Sequence, residues 1–386
     1  MDFAKRTQTL SSEGAYQVLA KAQALEKAGR DIIHLEIGQP DFKTFPNVSQ
    51  AGIQAIQDGF TRYTPPPGMP ALREVIAESA GKQRGLVFQP DQVVVSPGAK
   101  PNLFFPTLAL VEEGDEVIYP NPGFPSYEAM IRVAGGTPVP VPLLEDNQFS
   151  FDLTVLDEVV SEKTRMIILN SPGNPTGGII PRADLEHIAR AAIKHDCWVL
   201  SDEIYTRIVY DDQQVDSIMG FPGMAERTII MDGFSKTYAM TGWRLGYGIM
   251  PRDLAIKVGL LLMHSVGSTA QFTQFAGIEA LTGDQKQVDV VVAEYKKRRD
   301  LIVAGLNQMP GISCQNPKGA FYVFPNIKGL GKTSQETADW ILDEAGVALL
   351  PGSAFGKYGE GYLRLSYANS LENIQKALDR MGEILL

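Results

Sequence analysis

The chain is expected to fold as an α/β protein, with a large part built on a mostly parallel sheet sandwiched by helices and a smaller α/β part beside it. Three observations predict this. Apolar, β-branched runs alternate with helical stretches from about residue 90 to 250, the pattern of a parallel sheet with both faces covered. Those runs end in Gly, Pro, Asn and Ser, the residues of turns. The 386 residues and 44% hydrophobic content give enough material for a large core and roughly two or three domains.

The first helix is expected over residues 11–29, where Val18, Leu19, Ala22 and Leu25 recur at helical spacing and Gly29 is a stop. A strand over 32–37 leads into Gly38-Gln-Pro-Asp, a turn by its Gly and Pro. Residues 63–70 (YTPPPGMP) form a stiff arm before a helix that begins at Ala71. Val93 to Ser96 reads as a strand, Pro97-Gly-Ala-Lys100 as a turn, and Pro101 as the first residue of a helix. A helix N-terminus above small residues can present N–H groups to a phosphate. Lys100 opposes that helix's dipole, which makes sense if an anion binds there; the alternative is a lysine pointing to solvent.

A strand over 116–119 runs into PNPGFPSY (120–127) and a helix through Val133. The strand 164–169 ends in NSPGNPTGG (170–178), and 181–195 is an amphipathic helix. Trp198 to Ser201 forms a strand closed by Asp202, and residues 228–231 another, just before Ser235 and Lys236. In such folds the chemistry sits past the strand ends. A lysine amine there can form a Schiff base with a carbonyl cofactor. Ser235 and Arg244 offer a hydroxyl and a guanidinium fork to a phosphate. Taken alone, each has a plainer reading as a surface lysine and a salt-bridged arginine. The strand 245–250 follows. The basic run AEYKKRRD (293–300) reads as a solvated helix face balanced by its acids. The smaller unit contains strands at 319–324 and 362–366 and a helix over 333–346; Arg364 lies among apolar residues, where a charge needs a partner.

The net charge of −10 argues against nucleic-acid or anionic-membrane surfaces. Two cysteines, with Cys197 in an apolar run, suggest no disulfide framework, and no apolar signal or membrane-length run is present, so a cytoplasmic location is expected. A dinucleotide fingerprint is missing. Gly331-Lys-Thr333 fails as a phosphate loop because Asn326 stands where a glycine is required. The four histidines lack zinc-ligand spacing, so no metal is expected.

Several of these segments, in this order, resemble the class I pyridoxal-phosphate aminotransferases. The run 232–246 (DGFSKTYAMTGWRLG) carries the lysine signature, and Asn174-Pro-Thr-Gly, Ser201-Asp-Glu-x-Tyr205 and Leu363-Arg-x-Ser366 match further motifs. The resemblance spans Gly38 to Arg364. It implies a fold-type I enzyme, with residues 48–285 as the large cofactor-binding domain and 1–47 plus 286–386 as the small one. It also implies pyridoxal 5'-phosphate on Lys236, with Asp202 at the ring nitrogen and Tyr205 and Asn174 at the phenolic oxygen. Phe124 stacks on the ring. By the same resemblance Gly98, Ala99, Lys100, Ser235 and Arg244 would line the cofactor's phosphate side, and Tyr63 would reach it from the neighbouring subunit of a homodimer. Gly38, Phe124, Asn174 and Arg364 meet the substrate, Arg364 through its α-carboxylate, and Lys100 a distal carboxylate. The implied reaction is a ping-pong transfer from an L-amino acid, with aspartate or glutamate as one partner, to a 2-oxo acid. A lyase or synthase on the same fold, such as a carbon–sulfur lyase, or a non-catalytic cofactor-binding protein, are the alternatives.

Overall fold

The computed structural model describes residues 3–8, 10 and 14–385. In chain order the strands are β1 (Ile33–His34), β2 (Val93–Ser96), β3 (Glu116–Asn121), β4 (Thr137–Leu144), β5 (Ser150–Phe151), β6 (Thr164–Asn170), β7 (Trp198–Asp202), β8 (Thr228–Gly233), β9 (Gly246–Ile249), β10 (Tyr322–Val323), β11 (Val347–Ala348), β12 (Leu350–Pro351) and β13 (Leu363–Ser366). Eight of them form one sheet in the order β2-β9-β8-β7-β6-β3-β4-β5. Pairs from β8 through β4 are parallel, while β9 runs antiparallel to both β8 and β2, and β5 to β4. The sheet is thus mostly parallel, as expected, with β2 pointing the same way as β8.

Period-two alternation buries both faces. Met166 and Ile168 of β6 pack with Leu200, Ile229 and Met231 under helices Pro101–Leu110, Ser126–Ala134 and Arg252–Met263. Ile167, Leu169 and Val199 face the opposite side, against Leu185, Ile188 and Ala192 of the helix Arg182–Lys194. Cys197 joins that core, as its apolar run predicts. The smaller sheets lie outside this one: β1 pairs in parallel with β11, and β13 lies between β10 and β12.

Some elements differ from expectation. The strand expected over 32–37 is only β1, and the one over 319–324 only β10. The expected first helix is Gly14–Lys27; residues 11–13 lie outside those described. The helix expected over 333–346 is α-helical for Ser334–Trp340 and then widens to a π turn over Ile341–Ala345. Strand β4 (TPVPVPLL) has prolines at alternate positions, which argue against a central strand. It forms near the sheet edge, where it pairs with β3 along its length and with β5 only at Leu143 and Leu144, so missing N–H groups cost little. The basic run on helix Lys286–Leu306 is not a fully solvated face. Arg298 and Arg299 are buried, paired with Asp41 at 2.8 Å and with Asp211 at 2.5 Å, and their guanidinium groups stack over the Phe42 and Tyr210 rings. Among the described residues no helix is long and apolar enough to cross a membrane, and no His, Cys, Asp and Glu cluster could hold a metal ion.

Candidate active site

The carboxyl ends of β2, β3, β6, β7 and β8 open on one side of the sheet, where ligands bind in such folds. After β2 the chain turns through Gly98-Ala99-Lys100 into helix Pro101–Leu110. The Oγ of Ser96 donates to the Gly98 carbonyl at 2.6 Å, and Asn102 Nδ2 donates to Ser96 Oγ at 2.6 Å, pinning the turn. Gly98 needs to be glycine: its φ is +82°, and a Cβ would lie 2.2 Å from Arg244 Nη2. Arg244 is itself left-handed, at φ 54°, with Nη1 donating to the Thr241 carbonyl at 2.9 Å. Strain of this kind gathers where a site demands it. Ser235 is buried just after β8. The helix N-terminus, Ser235 and Arg244 therefore offer N–H, hydroxyl and guanidinium donors in one place.

Lys236 follows, partly buried, and its Nζ donates to the Gly38 carbonyl at 2.6 Å. The amine lies 5.8 Å from the ring centre of Tyr205 and 5.7 Å from that of Phe321. Burial, reinforced by the Arg364 charge, pulls its pKa down to about 8. Asp202, at the end of β7, is buried too. Burial pushes its pKa up to about 7 against the opposing hydrogen bonds from Tyr127 Oη at 2.6 Å and the Ile204 N–H at 3.3 Å. The hydroxyls of Tyr205 and Tyr322 are 2.7 Å apart, and burial raises the Tyr205 phenol well above its ordinary value. Arg364, central in β13, donates from Nη1 to Asn174 Oδ1 at 3.2 Å and from Nη2 to the Glu36 carbonyl. Asn174 is held in turn by its own N–H on Asn170 Oδ1 at 2.8 Å.

A cleft of about 750 Å³ is lined by Lys100, Phe124 and Phe355, among others. Lys100 Nζ stands 4.9 Å over the Phe124 ring, and the Arg364 guanidinium 5.0 Å over the Phe355 ring. The cleft wall thus carries a cation near each of two aromatic rings. Arg364, Asp202, Arg244 and Lys100 all act on the Lys236 amine, and Gly38 and Tyr205 adjoin it. Asn174 meets Arg364, Gly98 lies against Arg244 and Phe124 under Lys100, while Ala99 and Ser235 are the chain neighbours of Lys100 and Lys236. Of this set, Lys100 and Phe124 line the cleft. Tyr63 stands apart, 97% exposed.

Sequence reasoning missed the layer behind these residues. Tyr127 was part of the 120–127 motif without a role, and Tyr322 was read only as strand. A Cβ on Gly38 would lie 2.2 Å from Tyr322 Oη, so the glycine is what lets that hydroxyl in. Beneath Asp202 and Lys236, Arg84 bridges Glu203 at 2.6 Å and Asp232 at 2.7 Å, and Tyr247 Oη donates to Asp232 at 3.0 Å. Arg84 ends an ordinary-looking amphipathic helix, Pro70–Arg84, and nothing local marks it as buried.

Comparisons with known proteins agree with this geometry. A family model described as aminotransferase class I and II matches residues 30–381. An aspartate aminotransferase of Pyrococcus abyssi is 44% identical over 359 residues, covering 92% of each chain. An aromatic-amino-acid aminotransferase of Thermococcus litoralis is 41% identical, again over 92% of each. The solved structure of Thermus thermophilus aspartate aminotransferase with maleate superposes over 100% of both chains, with a TM-score of 0.95 at 36% identity.

Proposed function

The chain belongs to the class I and II aminotransferases, enzymes that use pyridoxal 5'-phosphate, and from that premise we propose that the residues gathered on Lys236, with the cleft beside Lys100 and Phe124, form its cofactor and substrate site. We assign aspartate or glutamate as one partner and a 2-oxo acid as the acceptor. The observation that carries the assignment is a buried lysine amine, with pKa lowered to about 8, beside a buried carboxyl, a tyrosine pair and an arginine.

The donor set suits the cofactor. The Gly98–Lys100 turn, the helix N-terminus, Ser235 and Arg244 fit its phosphate, with Phe124 against the ring. Asn174 and Tyr205 would hold the phenolic oxygen. When bound, pyridoxal phosphate supplies a carbonyl that takes the amino group and a protonated ring that draws off the electron pair of the breaking C–H bond. Asp202 would hold the ring nitrogen and favour its protonated form: the carboxyl, raised to about 7 here, ionises more readily beside a cation. Lys236 Nζ, partly neutral near pH 8, would be the base that takes and holds the proton from the substrate's Cα. Arg364 grips the α-carboxylate with its guanidinium fork and orients Cα for that transfer. The reaction runs as two half-reactions through one site.

Lys100 and Arg364, each over an aromatic ring beside the same cleft, support a substrate with two carboxylates. Lys100→Ala should raise KM for aspartate about tenfold or more, as loss of a charged contact does, and leave KM for phenylalanine nearly unchanged. Equal effects on both substrates would remove Lys100 from side-chain recognition. Tyr63, exposed on one chain, supports a homodimer in which each chain's Tyr63 completes its neighbour's phosphate site. The proposed domain division, 48–285 against 1–47 plus 286–386, is supported by where the large and small sheets draw their strands. A cytoplasmic location is supported by two free, buried cysteines.

The deciding experiment follows the visible absorbance of the cofactor-loaded protein. Aspartate or glutamate should bleach the yellow band, and 2-oxoglutarate should restore it. A band that never responds to any amino acid would overturn the site assignment.

A further inference from the structure

Residues 34–38 form a short rail between the surface and the two cations of the site. The Glu36 carbonyl accepts from Arg364 Nη2, and the Gly38 carbonyl accepts from Lys236 Nζ at 2.6 Å. The rail's backbone is fixed: Leu35 N–H donates to the Ala348 carbonyl at 2.9 Å, Ser366 N–H to the Leu35 carbonyl at 2.7 Å, and Asn369 Nδ2 to the His34 carbonyl at 3.0 Å. The Glu36 side chain lies on it fully buried. One oxygen, Oε1, meets His34 Nδ1 at 2.7 Å; the other, Oε2, has no hydrogen-bond partner among the described residues. The outer nitrogen of His34 meets Glu26 Oε1 at 3.1 Å, with the imidazole 30% exposed.

A fully buried carboxylate with one unpartnered oxygen is costly unless its charge is cancelled. Among the described residues, the cationic side chain paired with the Glu36 carboxylate is His34. We propose that His34 and Glu36 act together as a positioning pair for Arg364, setting how strongly that arginine binds a carboxylate and making the binding depend on pH. The proposal rests on the reading of Arg364 as the α-carboxylate anchor.

The charges facing the pair define the sign. Glu26 faces it from helix Gly14–Lys27 and Arg364 from β13. The paired strand β11 offers only Val347 and Ala348, and Asp31 at the strand's start is engaged by Lys376 and Arg380. With His34 protonated, Glu36 is neutralised and Arg364 presents its full charge to the ligand. With His34 neutral, a bare buried carboxylate sits on the segment whose carbonyl accepts from Arg364 and competes with the ligand's own carboxylate. Binding should therefore weaken as pH rises through the His34 titration. Burial lowers the imidazole's pKa, and Glu36 and Glu26 more than offset this, holding it above its ordinary value.

Two measurements test the pair. The first is NMR titration of the histidine rings in cofactor-free protein. His34 should titrate above the ordinary range near 6.5, and Glu36→Gln should bring it down by about one pH unit. The second is the Kd of maleate, an unreactive dicarboxylate, between pH 6 and 9, read from the cofactor absorbance. Lys236 titrates in every variant, so the pair's contribution is the difference between profiles. The wild type should lose about fivefold more affinity over the His34 titration than Glu36→Gln, a typical coupling between two sites. Glu36→Gln should stay tight at high pH, and His34→Gln should be weak throughout. A side chain that only supported the fold would shift all pH values alike. An ordinary His34 pKa, or parallel profiles for wild type and Glu36→Gln, would overturn the proposal. If maleate left the absorbance of every variant unchanged, the Arg364 reading itself would fall, an outcome that the histidine titration keeps separate.

Discussion

Replacing Lys236 by methionine should stabilise the cofactor-free protein. The lysine amine ordinarily titrates at 10.5 and in the folded chain at about 8. Between those values the unfolded chain holds a proton that the folded chain has released, so stability rises with pH there. Below about pH 8 the full cost of the buried charge is present, about 3 kcal/mol at about 1.4 kcal/mol per pH unit. Methionine keeps most of the volume and carries no charge. It forfeits the hydrogen bond to the Gly38 carbonyl, worth about 1 kcal/mol, and Gly38 is only half-buried, so water can take the lysine's place. The net gain is about 2 kcal/mol at pH 7. Urea unfolding of both cofactor-free proteins at pH 7 and above pH 10 measures it. The variant should be more stable at pH 7 and the gap should close as pH rises. A variant no more stable at pH 7, or a gap that does not depend on pH, would refute the account of Lys236 as a buried, destabilised amine held for chemistry.

Asp202→Asn should lower kcat about 10²- to 10³-fold, the scale for losing one preorganised electrostatic group. The thermal midpoint of the cofactor-free protein should hardly change, because the amide oxygen can still accept from Tyr127 and the buried charge is already disfavoured. Gly98→Ala puts a Cβ 2.2 Å from Arg244 Nη2 at a φ of +82°, so cofactor titration should give a Kd weaker by about tenfold or more. Tyr322→Phe removes only the hydroxyl that meets Tyr205, leaving a buried phenol without its partner; it should cost about 1 to 3 kcal/mol in urea unfolding of the cofactor-free protein and lower kcat.

How much of this was legible in the sequence depends on how local the cause is. Strands β2, β3, β6, β7 and β8 could be read because each is an apolar run ended by a turn, and each such turn carries a site residue within a few positions. Asp202 and Lys236 could be placed for the same reason, at or just past strand ends, whereas Asn174 was singled out by the resemblance of its Asn-Pro-Thr-Gly run and not by spacing. Strand β4 was not readable, since its prolines are tolerated only because a neighbouring edge leaves their missing N–H groups unneeded. Arg84 was not readable either. Its meaning comes from Glu203 and Asp232, more than a hundred residues away in the chain, and its helix has no local sign of burial. Arg299 was misread for a related reason: a run of charges looks solvated until Asp211 arrives from another loop to bury it.

The buried ions also explain how an acidic chain can hold an anionic cofactor and a substrate with carboxylates. The net charge is −10, yet Lys100, Arg244 and Arg364 all lie close enough to Lys236 to act on its amine. Like charges so placed repel one another, which is part of why the Lys236 amine is lowered: Arg364, Arg244 and Lys100 all act on it. The layer beneath leans the other way. Arg84 with Glu203 and Asp232 carries one positive and two negative charges, all buried. The acid that acts on Lys236 against those cations is Asp202, and Asp232 and Glu203 of this layer act on Asp202 in turn. Without ligand, the upper layer is therefore strained electrostatically and the lower layer partly compensates. Binding of a phosphate and a carboxylate would relieve that strain, so affinity for anions is built into the unliganded fold rather than created by the ligand.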